Sequence, residues 1–510
     1  MSVSASTWSE AIRSAATLYP DRIAVVTDGT PWTYAEMDDY STRAANLLLE
    51  EGLHPGDRVA TMMYNDINHL MLLLGCAKAG LVLMPINRRL NPVELEQVLR
   101  IADPHLVVYD PEFADVSASF AGHTGRSLQR TMGGSALAEA IASRSSADPG
   151  IRVSSTDIQV IHFTSGTTGT PKGVCRTYAS NMNVSLDTLA AIPQDENSVW
   201  AFEFSFTSAS FWGIGAQVWL VGGTLRLSRK FDAPETLEAL RTTVTHAALG
   251  PTMWEMLRQA AQSRPLDSKT LKAVFWGGMP IRRSAAERIV EWLDVPFGSV
   301  YGLTEAPCLT WNAGDDAREA PTAVGRPGRS TRIRLVDAQG KDLTDGGLGE
   351  ILVKSDVAAG AYFNAPELTC ETFGPDWLAT GDMGEFDAAG RLHVLDRSKD
   401  VIISGGENIY PAEIEAVIGQ LAEVQEVCAL GVPDDRWGEV PAAIVRPVLG
   451  AEIAPEAILE HCTARLARYK IPKLVGVVGE IPKGDLGKFE KKKLLADLGS
   501  YLPSDMGIAT

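Results

Sequence analysis

The residues best suited to chemistry lie in one short segment that follows an apolar strand. Residues 163–173 read FTSGTTGTPKG, in which two glycines and five hydroxyl side chains precede Lys172. Glycines let backbone N–H groups approach an anion closely, hydroxyls add hydrogen-bond donors, and the lysine adds a positive charge. The segment therefore predicts a phosphate-binding loop. The alternative is a flexible Ser/Thr/Gly surface loop, which fits parts of the segment better than the whole order after a strand.

This segment does not follow the Walker A pattern. Counted from Gly166, the GxxxxGK spacing needs a glycine where the chain has Pro171. Lys172 is also followed by Gly173, where a Walker A loop has Ser or Thr.

Three further segments carry candidate groups that are weak when each is taken alone. Residues 300–305 read VYGLTE, residues 380–382 read TGD, and residues 481–489 read IPKGDLGKF. A Thr-Glu pair after a strand is often a helix N-terminus, where the dipole favours a carboxylate. The TGD segment also fits a turn, and the lysines at 491–493 allow Lys488 to belong to a solvated basic run.

Taken together, these segments resemble the adenylate-forming superfamily, which includes acyl-CoA and aryl-CoA synthetases, nonribosomal peptide adenylation domains and luciferases. The resemblance extends over nearly the whole chain. It implies that the β- and γ-phosphates of ATP bind at Thr164, Ser165, Gly166, Thr167, Thr168, Gly169 and Lys172. It implies that adenine and ribose bind at Gly278, Met279, Tyr301, Gly302, Asp382 and Arg397.

The resemblance also implies three catalytic residues and a metal ion. Thr304 would bind the α-phosphate, Glu305 would hold Mg²⁺, and Lys488 would neutralise charge on the transferring phosphoryl group. A single carboxylate is chemically sufficient, because Mg²⁺ keeps several waters and takes further oxygens from phosphates.

The last part of the chain resembles the region that binds coenzyme A (CoA) in this superfamily. Lys399 matches the hinge position, and the matching CoA-binding residues are Gly405, Gly406 and Trp437. For Trp437 a buried position in the hydrophobic core is an equal alternative to flanking pantetheine.

The acid substrate would bind against an aromatic stretch at residues 200–212. The expected acyl pocket comprises Phe206, Thr207, Phe211, Trp212 and Gly277. Thr207 stands where relatives carry a gating histidine or an amine-binding aspartate, and Tyr178 also departs from a frequent histidine. A neutral hydroxyl cannot pair with an ammonium group, so an α-amino acid is disfavoured. Bulky walls favour a short- or medium-chain or aromatic acid, although the same rings could form core.

Composition excludes several other classes of function. The 510 residues carry 46 Lys and Arg against 64 Asp and Glu, a net charge of −18, which argues against general nucleic-acid binding. Six isolated cysteines without a CxxC pair argue against a disulfide framework or a zinc site. The first residues lack a signal-peptide pattern, and apolar residues 70–86 include Lys78, so a cytoplasmic protein without an integral membrane segment is expected.

Hydrophobic patterning predicts the elements that must position these residues. Helices at 36–51 and 69–79 alternate with strands at 58–63, 80–85 and 158–163, and further strands are predicted at 274–276 and 297–300. This alternation predicts parallel sheets with crossover helices. Residues 134–152 suggest a surface excursion, and residues 332–395 suggest a β-rich subdomain. A final unit is predicted with helices at 412–421 and 455–468 and strands at 427–432 and 442–448.

The expected fold class is α/β. A large N-terminal domain of parallel βα sheets with a β-rich subdomain (1–396) is followed by a small mobile α+β domain (397–510), with the hinge near Lys399. The leading function is an ATP-dependent ligase that joins a carboxylic acid to CoA through an acyl-adenylate. The alternatives are delivery of the acyl group to a separate carrier protein and a non-catalytic nucleotide-binding module. Assembly as a homodimer is left open.

Overall fold

The computed structural model describes residues 5–113, 134–164, 171–278, 281, 283–293, 295–337, 339–343, 347–397, 402–409, 411–482, 489 and 491–501. Its helices are α1 Trp8–Leu18, α2 Tyr34–Glu50, α3 Ile67–Ala79, α4 Pro92–Ala102, α5 Gly134–Ala142, α6 Tyr178–Ala191, α7 Phe211–Ile214, α8 Ala233–Thr242, α9 Pro251–Ala260, α10 Arg283–Trp292, α11 Gly314–Glu319, α12 Pro366–Phe373, α13 Pro411–Ile418, α14 Pro455–Thr463, α15 Lys491–Ala496 and α16 Leu498–Tyr501.

The strands follow the same chain order. They are β1 Ile23–Thr27, β2 Thr30–Thr33, β3 Arg58–Met62, β4 Val82–Pro85, β5 Leu106–Tyr109, β6 Ile158–Thr164, β7 Lys172–Thr177, β8 Val199–Phe202, β9 Thr224–Leu227, β10 His246–Leu249, β11 Ala273–Gly277, β12 Phe297–Leu303, β13 Ala306–Asn312, β14 Arg326–Pro327, β15 Thr331–Val336, β16 Gly349–Ser355, β17 Ala361–Tyr362, β18 Leu378–Phe386, β19 Leu392–Arg397, β20 Ile402–Ser404, β21 Glu407–Ile409, β22 Val424–Asp434, β23 Gly438–Pro447 and β24 Leu474–Val477.

The chain divides into two compact units. The large unit comprises Met1–Arg88, Ala102–Thr164 and Gly173–Asp396, and the small unit comprises Arg89–Ile101, Ser165–Lys172 and Arg397–Thr510. The hinge and the mobility of the last domain stay predictions.

Two extended sheets and a smaller one build the large unit. The nine-stranded sheet has the order β14-β13-β12-β11-β10-β8-β9-β1-β2, and the six-stranded sheet has the order β17-β7-β6-β4-β3-β5. Most neighbouring strands are parallel, but β2, β13, β14 and β17 pair antiparallel at the edges. The predicted β-rich subdomain is the four-stranded sheet β15-β16-β18-β19. The α/β fold class is therefore confirmed.

The apolar segment at residues 70–86 forms the predicted buried helix and strand. Helix α3 ends at Ala79 and is capped by Gly80, which has a positive φ of 67°, and β4 follows inside the six-stranded sheet. Lys78 is fully buried, and its ammonium group donates to the Asp38 carboxylate at 2.6 Å and to Thr42 at 2.8 Å. Among the described residues, no helix combines the length and the apolar character that a membrane crossing needs.

The small unit has a core on each face of its sheet. Strands run in the order β21-β20-β23-β22, and β24 pairs with β23. Successive residues of a strand point to opposite faces, and accordingly Ala443 and Val445 join one apolar cluster while Ala442 and Ile444 join the other. The predicted α+β composition of this unit is confirmed.

Two predicted elements differ from the structure. Residues 134–152 are more than a surface excursion, because helix α5 forms there with Leu137 and Ile141 fully buried. The helix predicted at 455–468 ends at Thr463, and a tighter turn follows with Leu466 packed into the core. The apolar spacing at 455–468 indicated a helix but not where it ends, and at 134–152 the Ala/Ser-rich composition did not indicate the helix at all.

Candidate active site

The predicted phosphate-binding loop joins two strands of the six-stranded sheet. Thr164 is the last residue of β6, and Lys172 is the first residue of β7. Close packing of the two strands requires Gly173, because a Cβ there would lie 2.9 Å from Ile161 Cγ2. Ser165, Gly166, Thr167, Thr168 and Gly169 lie outside the described residues, so their contribution to nucleotide binding stays a prediction.

Two glycines end the strand that was expected to line the adenine site. Gly277 is the last residue of β11, and a Cβ there would lie 2.8 Å from Val300 Cγ1 on the neighbouring parallel strand. Gly278 follows with φ of 82°, a conformation that side chains other than glycine rarely adopt. The backbone at Gly277 and Gly278 therefore carries no side chains and turns sharply. Met279 lies outside the described residues.

Tyr301 and Asp382 meet although 81 residues separate them in sequence. The Tyr301 hydroxyl donates to Asp382 Oδ2 at 2.6 Å, and the Asp382 backbone N–H donates to the Thr380 hydroxyl at 3.1 Å. Asp382 is only 3% exposed. An aromatic ring next to a fixed carboxylate can stack on a base and accept hydrogen bonds from sugar hydroxyls. Two segments that were separate in the sequence argument thus come together.

The hairpin between β12 and β13 presents Thr304 and Glu305. Leu303 pairs with Ala306, so these two residues form the loop. A Cβ at Gly302 would lie 2.5 Å from the Cys308 nitrogen, which shows how closely the two strands approach. The Glu305 carboxylate accepts a hydrogen bond at Oε1 from the Tyr362 hydroxyl at 2.6 Å.

The groups around Glu305 fit a magnesium ion better than a softer metal. The Glu305 carboxylate is a hard oxygen donor, which Mg²⁺ prefers. Within the described residues, no three His, Cys, Asp or Glu side chains gather into a metal cage. A cation at Glu305 would therefore complete its shell with water and phosphate oxygens, as Mg²⁺ commonly does.

Arg176 is a buried charged residue in this region that the sequence argument missed. It is 0% exposed on β7, its Nε donates to Asn181 Oδ1 at 2.7 Å, and its Nη2 donates to the Val357 carbonyl at 2.9 Å. Burial lowers the pKa of Arg176 to about 9, partly offset by the nearby Cys308 and Glu305, so the guanidinium stays charged at pH 7. The available signal was a charged residue directly after the apolar residues Val174 and Cys175 of β7.

The aromatic residues of the expected acyl pocket pack mainly on one another. Phe206, Phe211 and Trp212 are each 1% exposed, and the Phe206 and Phe211 ring centroids lie 4.8 Å apart in an edge-to-face arrangement. Phe202, also buried, stacks on Phe206 at 6.0 Å. These rings are core in the described structure, so their role as walls of an acid pocket stays a prediction.

A second buried residue that was not predicted from the sequence, His162, contacts the backbone of Thr207. The carbonyl of Thr207 is 3.0 Å from His162 Nδ1, and a carbonyl can only accept, so Nδ1 carries the proton. Burial and the nearby Arg176 lower the pKa of His162 to about 3, which leaves the ring neutral at pH 7. The buried imidazole thus fixes the backbone at Thr207, and the match of this residue to the superfamily's gating position stays a prediction.

In the small unit, Gly405 and Gly406 form the turn between β20 and β21, and Trp437, from the turn between β22 and β23, contacts Gly405. The Gly405 N–H donates to the Trp437 carbonyl at 2.8 Å, and a Cβ on Gly405 would lie 2.7 Å from Trp437 Cε3. Gly406 is exposed with φ of 83° and open space on its Cβ side. Trp437 is 40% exposed and faces the Arg436 guanidinium at 4.8 Å, so the alternative of a buried core tryptophan is wrong.

The side chains of three predicted site residues lie outside what the structure describes. Arg397 is the last residue of β19, and its side chain is outside what the structure describes. Lys399 and Lys488 lie outside the described residues altogether. The hinge role and the phosphoryl-directed role of these lysines stay predictions.

Two family models cover most of the chain in the expected order. The model of the AMP-binding enzyme matches residues 12–363, and that of the AMP-binding enzyme C-terminal domain matches residues 413–488. The chain belongs to the AMP-binding enzyme family. This confirms the resemblance to adenylate-forming enzymes that the motifs indicated.

Similar proteins match nearly the whole length of the chain. A long-chain-fatty-acid–CoA ligase, FadD13, from Mycobacterium tuberculosis is 34% identical over 96% of this chain and 98% of its own length. A feruloyl-CoA synthase from an Amycolatopsis species is also 34% identical, over 95% and 97%. Among solved structures, a double mutant of o-succinylbenzoate CoA synthetase from Bacillus subtilis with a product analogue has a TM-score of 0.86 at 26% identity, covering 96% of this chain and 98% of that one.

Proposed function

We propose that this member of the family is an ATP-dependent carboxylic acid–CoA ligase. The observation that carries the proposal is the Tyr301–Asp382 pair, in which a ring and a carboxylate suited to a nucleoside are joined at 2.6 Å. Its support is a chain that is similar over nearly its full length to proteins named as CoA ligases. Because the chain is similar to CoA ligases, we expect this pair to bind the ATP that adenylates the acid.

The first half-reaction needs no general base. A carboxylate is already ionised at pH 7 and can attack the α-phosphorus of ATP directly, forming an acyl-adenylate and pyrophosphate. The protein's tasks are to align the two reactants and to offset developing negative charge. In the proposal Tyr301 and Asp382 hold the nucleoside, Thr304 bonds the α-phosphate, and Lys172 and Lys488 supply positive charge.

Glu305 would hold Mg²⁺, which neutralises phosphate charge when bound. The role of Glu305 is then to keep one carboxylate oxygen in a fixed place at the hairpin loop. The bond from Tyr362 occupies Oε1, so Oε2 is the oxygen proposed to ligate the ion.

The second half-reaction is assigned to the turn at residues 405 and 406. After pyrophosphate leaves, the last domain is proposed to rotate about Lys399, withdrawing Lys488 and presenting this turn to the adenylate. Gly406 leaves open space for the pantetheine arm, and Trp437 offers a half-exposed ring beside it. Attack of the CoA thiol on the acyl carbon would release AMP.

The acid is proposed to lack a charged amino group. Thr207 supplies no carboxylate to pair with an ammonium ion, and an unpaired buried charge is costly. A short- or medium-chain or aromatic carboxylate is proposed on the aromatic character of residues 200–212. Among the similar proteins, one is named for a long-chain fatty acid and one for a feruloyl group.

The test is an acid panel read by pyrophosphate release and AMP formation. Aliphatic acids of increasing length, aromatic acids, dicarboxylic acids and α-amino acids are each supplied with ATP and Mg²⁺, first alone and then with CoA. We expect at least one non-amino acid to give pyrophosphate, and CoA to convert a limited first turnover into continuous AMP release.

Two other outcomes would replace the proposal. AMP release with a phosphopantetheinyl carrier protein, but not with free CoA, would establish the carrier-loading alternative. ATP binding without pyrophosphate release for any acid would favour the non-catalytic nucleotide-binding module.

A further inference from the structure

The hairpin loop that carries Glu305 lacks the backbone geometry that usually stabilises such a short turn. Two-residue hairpin loops favour types I′ and II′, which need a positive φ at one or both loop residues. Neither Thr304 nor Glu305 has a positive φ, although Cys308 on the following strand has φ of 56°. The loop therefore depends on groups from other parts of the large unit to hold its shape.

Those groups come from β7 and from the segment around β17. The Ala359 N–H donates to the Glu305 carbonyl at 2.7 Å, and Arg176 Nη1 approaches the same carbonyl at 3.4 Å. Arg176 also bonds the Val357 carbonyl at 2.9 Å, so one guanidinium connects the loop to the segment that bears Ala359. The backbone of Glu305 is thus fixed by two donors from outside the hairpin.

Tyr362 fixes the side chain of the same residue. Its hydroxyl donates to Glu305 Oε1 at 2.6 Å, and its ring is 6% exposed against Phe373, with centroids 5.3 Å apart. Tyr362 on β17 pairs with Val174 on β7, and Val174 precedes Arg176 by two residues. Arg176 and Tyr362 therefore belong to paired strands and act on the backbone and the carboxylate of one residue.

We propose that Tyr362 and Arg176 are positioning residues that hold Glu305 so that its carboxylate presents a single oxygen to the magnesium–nucleotide complex. Within the described residues, no donor bonds Oε2, whereas Oε1 is occupied by Tyr362. The buried charge of Arg176 does not form an ion pair with a described carboxylate, so it stays directed at carbonyls and at Asn181. This inference rests on the proposed function, because it assumes that Glu305 ligates Mg²⁺.

The main test is the Mg²⁺ dependence of ATP binding in the absence of any acid. Isothermal titration of ATP at several Mg²⁺ concentrations measures this dependence without turnover. In the wild type, Mg²⁺ is expected to increase the affinity for ATP. For Tyr362→Phe we expect the Mg²⁺ concentration that gives half of this increase in affinity to rise about 10–100-fold, which is typical for loss of a group that orients a metal ligand. Glu305→Gln should abolish the increase in affinity.

A matched control removes a similar hydrogen bond elsewhere in the large unit. The Tyr34 hydroxyl is buried and donates to the Gly223 carbonyl at 2.6 Å, far in sequence from the loop. Tyr34→Phe should leave the Mg²⁺ dependence of ATP binding unchanged. Arg176→Lys is the second variant, because it keeps the charge but loses the planar fork, and we expect a smaller rise in the same Mg²⁺ concentration.

The outcomes separate this inference from the proposed function. If the wild-type protein releases pyrophosphate with an acid but Tyr362→Phe and Arg176→Lys keep the wild-type Mg²⁺ dependence, the positioning role is wrong and the function stands. If Glu305→Gln also keeps that dependence, Glu305 is not the ligand. Thermal melting of each variant identifies loss of folding, and a rise in Mg²⁺ requirement shared with Tyr34→Phe would overturn the inference.

Discussion

Asp382 is a nearly buried carboxylate whose chemistry can be tested by a change of one atom. Tyr301 already donates to it, and the carboxylate is proposed to accept the ribose hydroxyls as well. We expect Asp382→Asn to raise the KM for ATP at least about tenfold, because a hydrogen bond to a charged acceptor contributes about 1.5–3 kcal/mol. The preference for ATP over 2′-deoxy-ATP should narrow in the same variant, as measured by steady-state kinetics.

Asp387 provides the matched control for this substitution. It lies in the turn after β18, where the Arg391 side chain and backbone N–H hydrogen-bond it, and these bonds lower the pKa of its carboxyl. Asp387→Asn should change stability without changing the ratio between the two nucleotides. Equal losses for both nucleotides in Asp382→Asn would show that Asp382 supports the fold and not the ribose.

At the scale of single residues, the sequence showed which residues belong to the candidate site better than it showed what those residues contact. The resemblance singled out Tyr301 and Asp382, but only folding brings the hydroxyl and the carboxylate to hydrogen-bond distance. Arg176 and Tyr362 were missed because their partners are backbone carbonyls and a carboxylate far along the chain. Such partners depend on strand pairing between β7 and β17, which periodicity within either segment does not reveal.

The turn between β20 and β21 allows the two half-reactions to be separated. Gly406 is exposed, and the space beside it is proposed to admit pantetheine. We expect Gly406→Leu to spare acid-dependent pyrophosphate exchange but to lower thioester formation at least tenfold, because the side chain would fill that space. The two rates are measured by isotope exchange and by acyl-CoA formation; the approximate size follows a loss of about 1.4 kcal/mol or more.

Gly450 is a control with the same backbone conformation. Its φ is 84° against 83° for Gly406, both have open space on the Cβ side, and both are exposed in the same unit. A leucine costs about 1–2 kcal/mol at either position through backbone strain. If Gly450→Leu impaired thioester formation as strongly as Gly406→Leu, strain in the small unit would be the cause and the pantetheine assignment would fail.

Element by element, alternation of apolar residues predicted the sheets well and the helix ends less well. The strands predicted at 158–163 and 297–300 lie within the longer strands β6 and β12, whose buried residues fall inside the predicted ranges. Helix α5 was missed because its Ala-rich sequence has only two large buried residues, Leu137 and Ile141. Helix termini depend on capping and tertiary packing, which are weakly encoded in spacing.

Across the whole large unit, several buried histidines link stability to pH. Burial lowers the pKa of His69 and of His246 to about 4 and that of His162 to about 3. An unfolded histidine titrates near pH 6.5. As the pH falls from about 6.5 towards 4, the unfolded chain takes up protons before the folded chain does, so stability that is present above pH 6.5 is progressively lost.

His69 allows this linkage to be measured for one group. Its Nδ1 lies 3.0 Å from the Tyr64 carbonyl and its Nε2 lies 2.9 Å from the Thr61 hydroxyl, so the neutral ring satisfies both partners. We expect His69→Gln to melt at a lower temperature than the wild type at pH 7.5, and the gap to narrow by pH 5, because one histidine contributes up to about 1.4 kcal/mol per pH unit.

His54 is the control, because its side chain is 82% exposed and His54→Gln should therefore lower the melting temperature at pH 7.5 far less than His69→Gln. The buried carboxyls of Asp66 and Asp110, whose pKa values burial raises, act in the opposite direction during acidification. The comparison therefore uses differences between variants at matched pH, in which contributions common to both proteins cancel. A constant gap between His69→Gln and the wild type from pH 7.5 to 5 would show that this histidine is not held neutral by the fold.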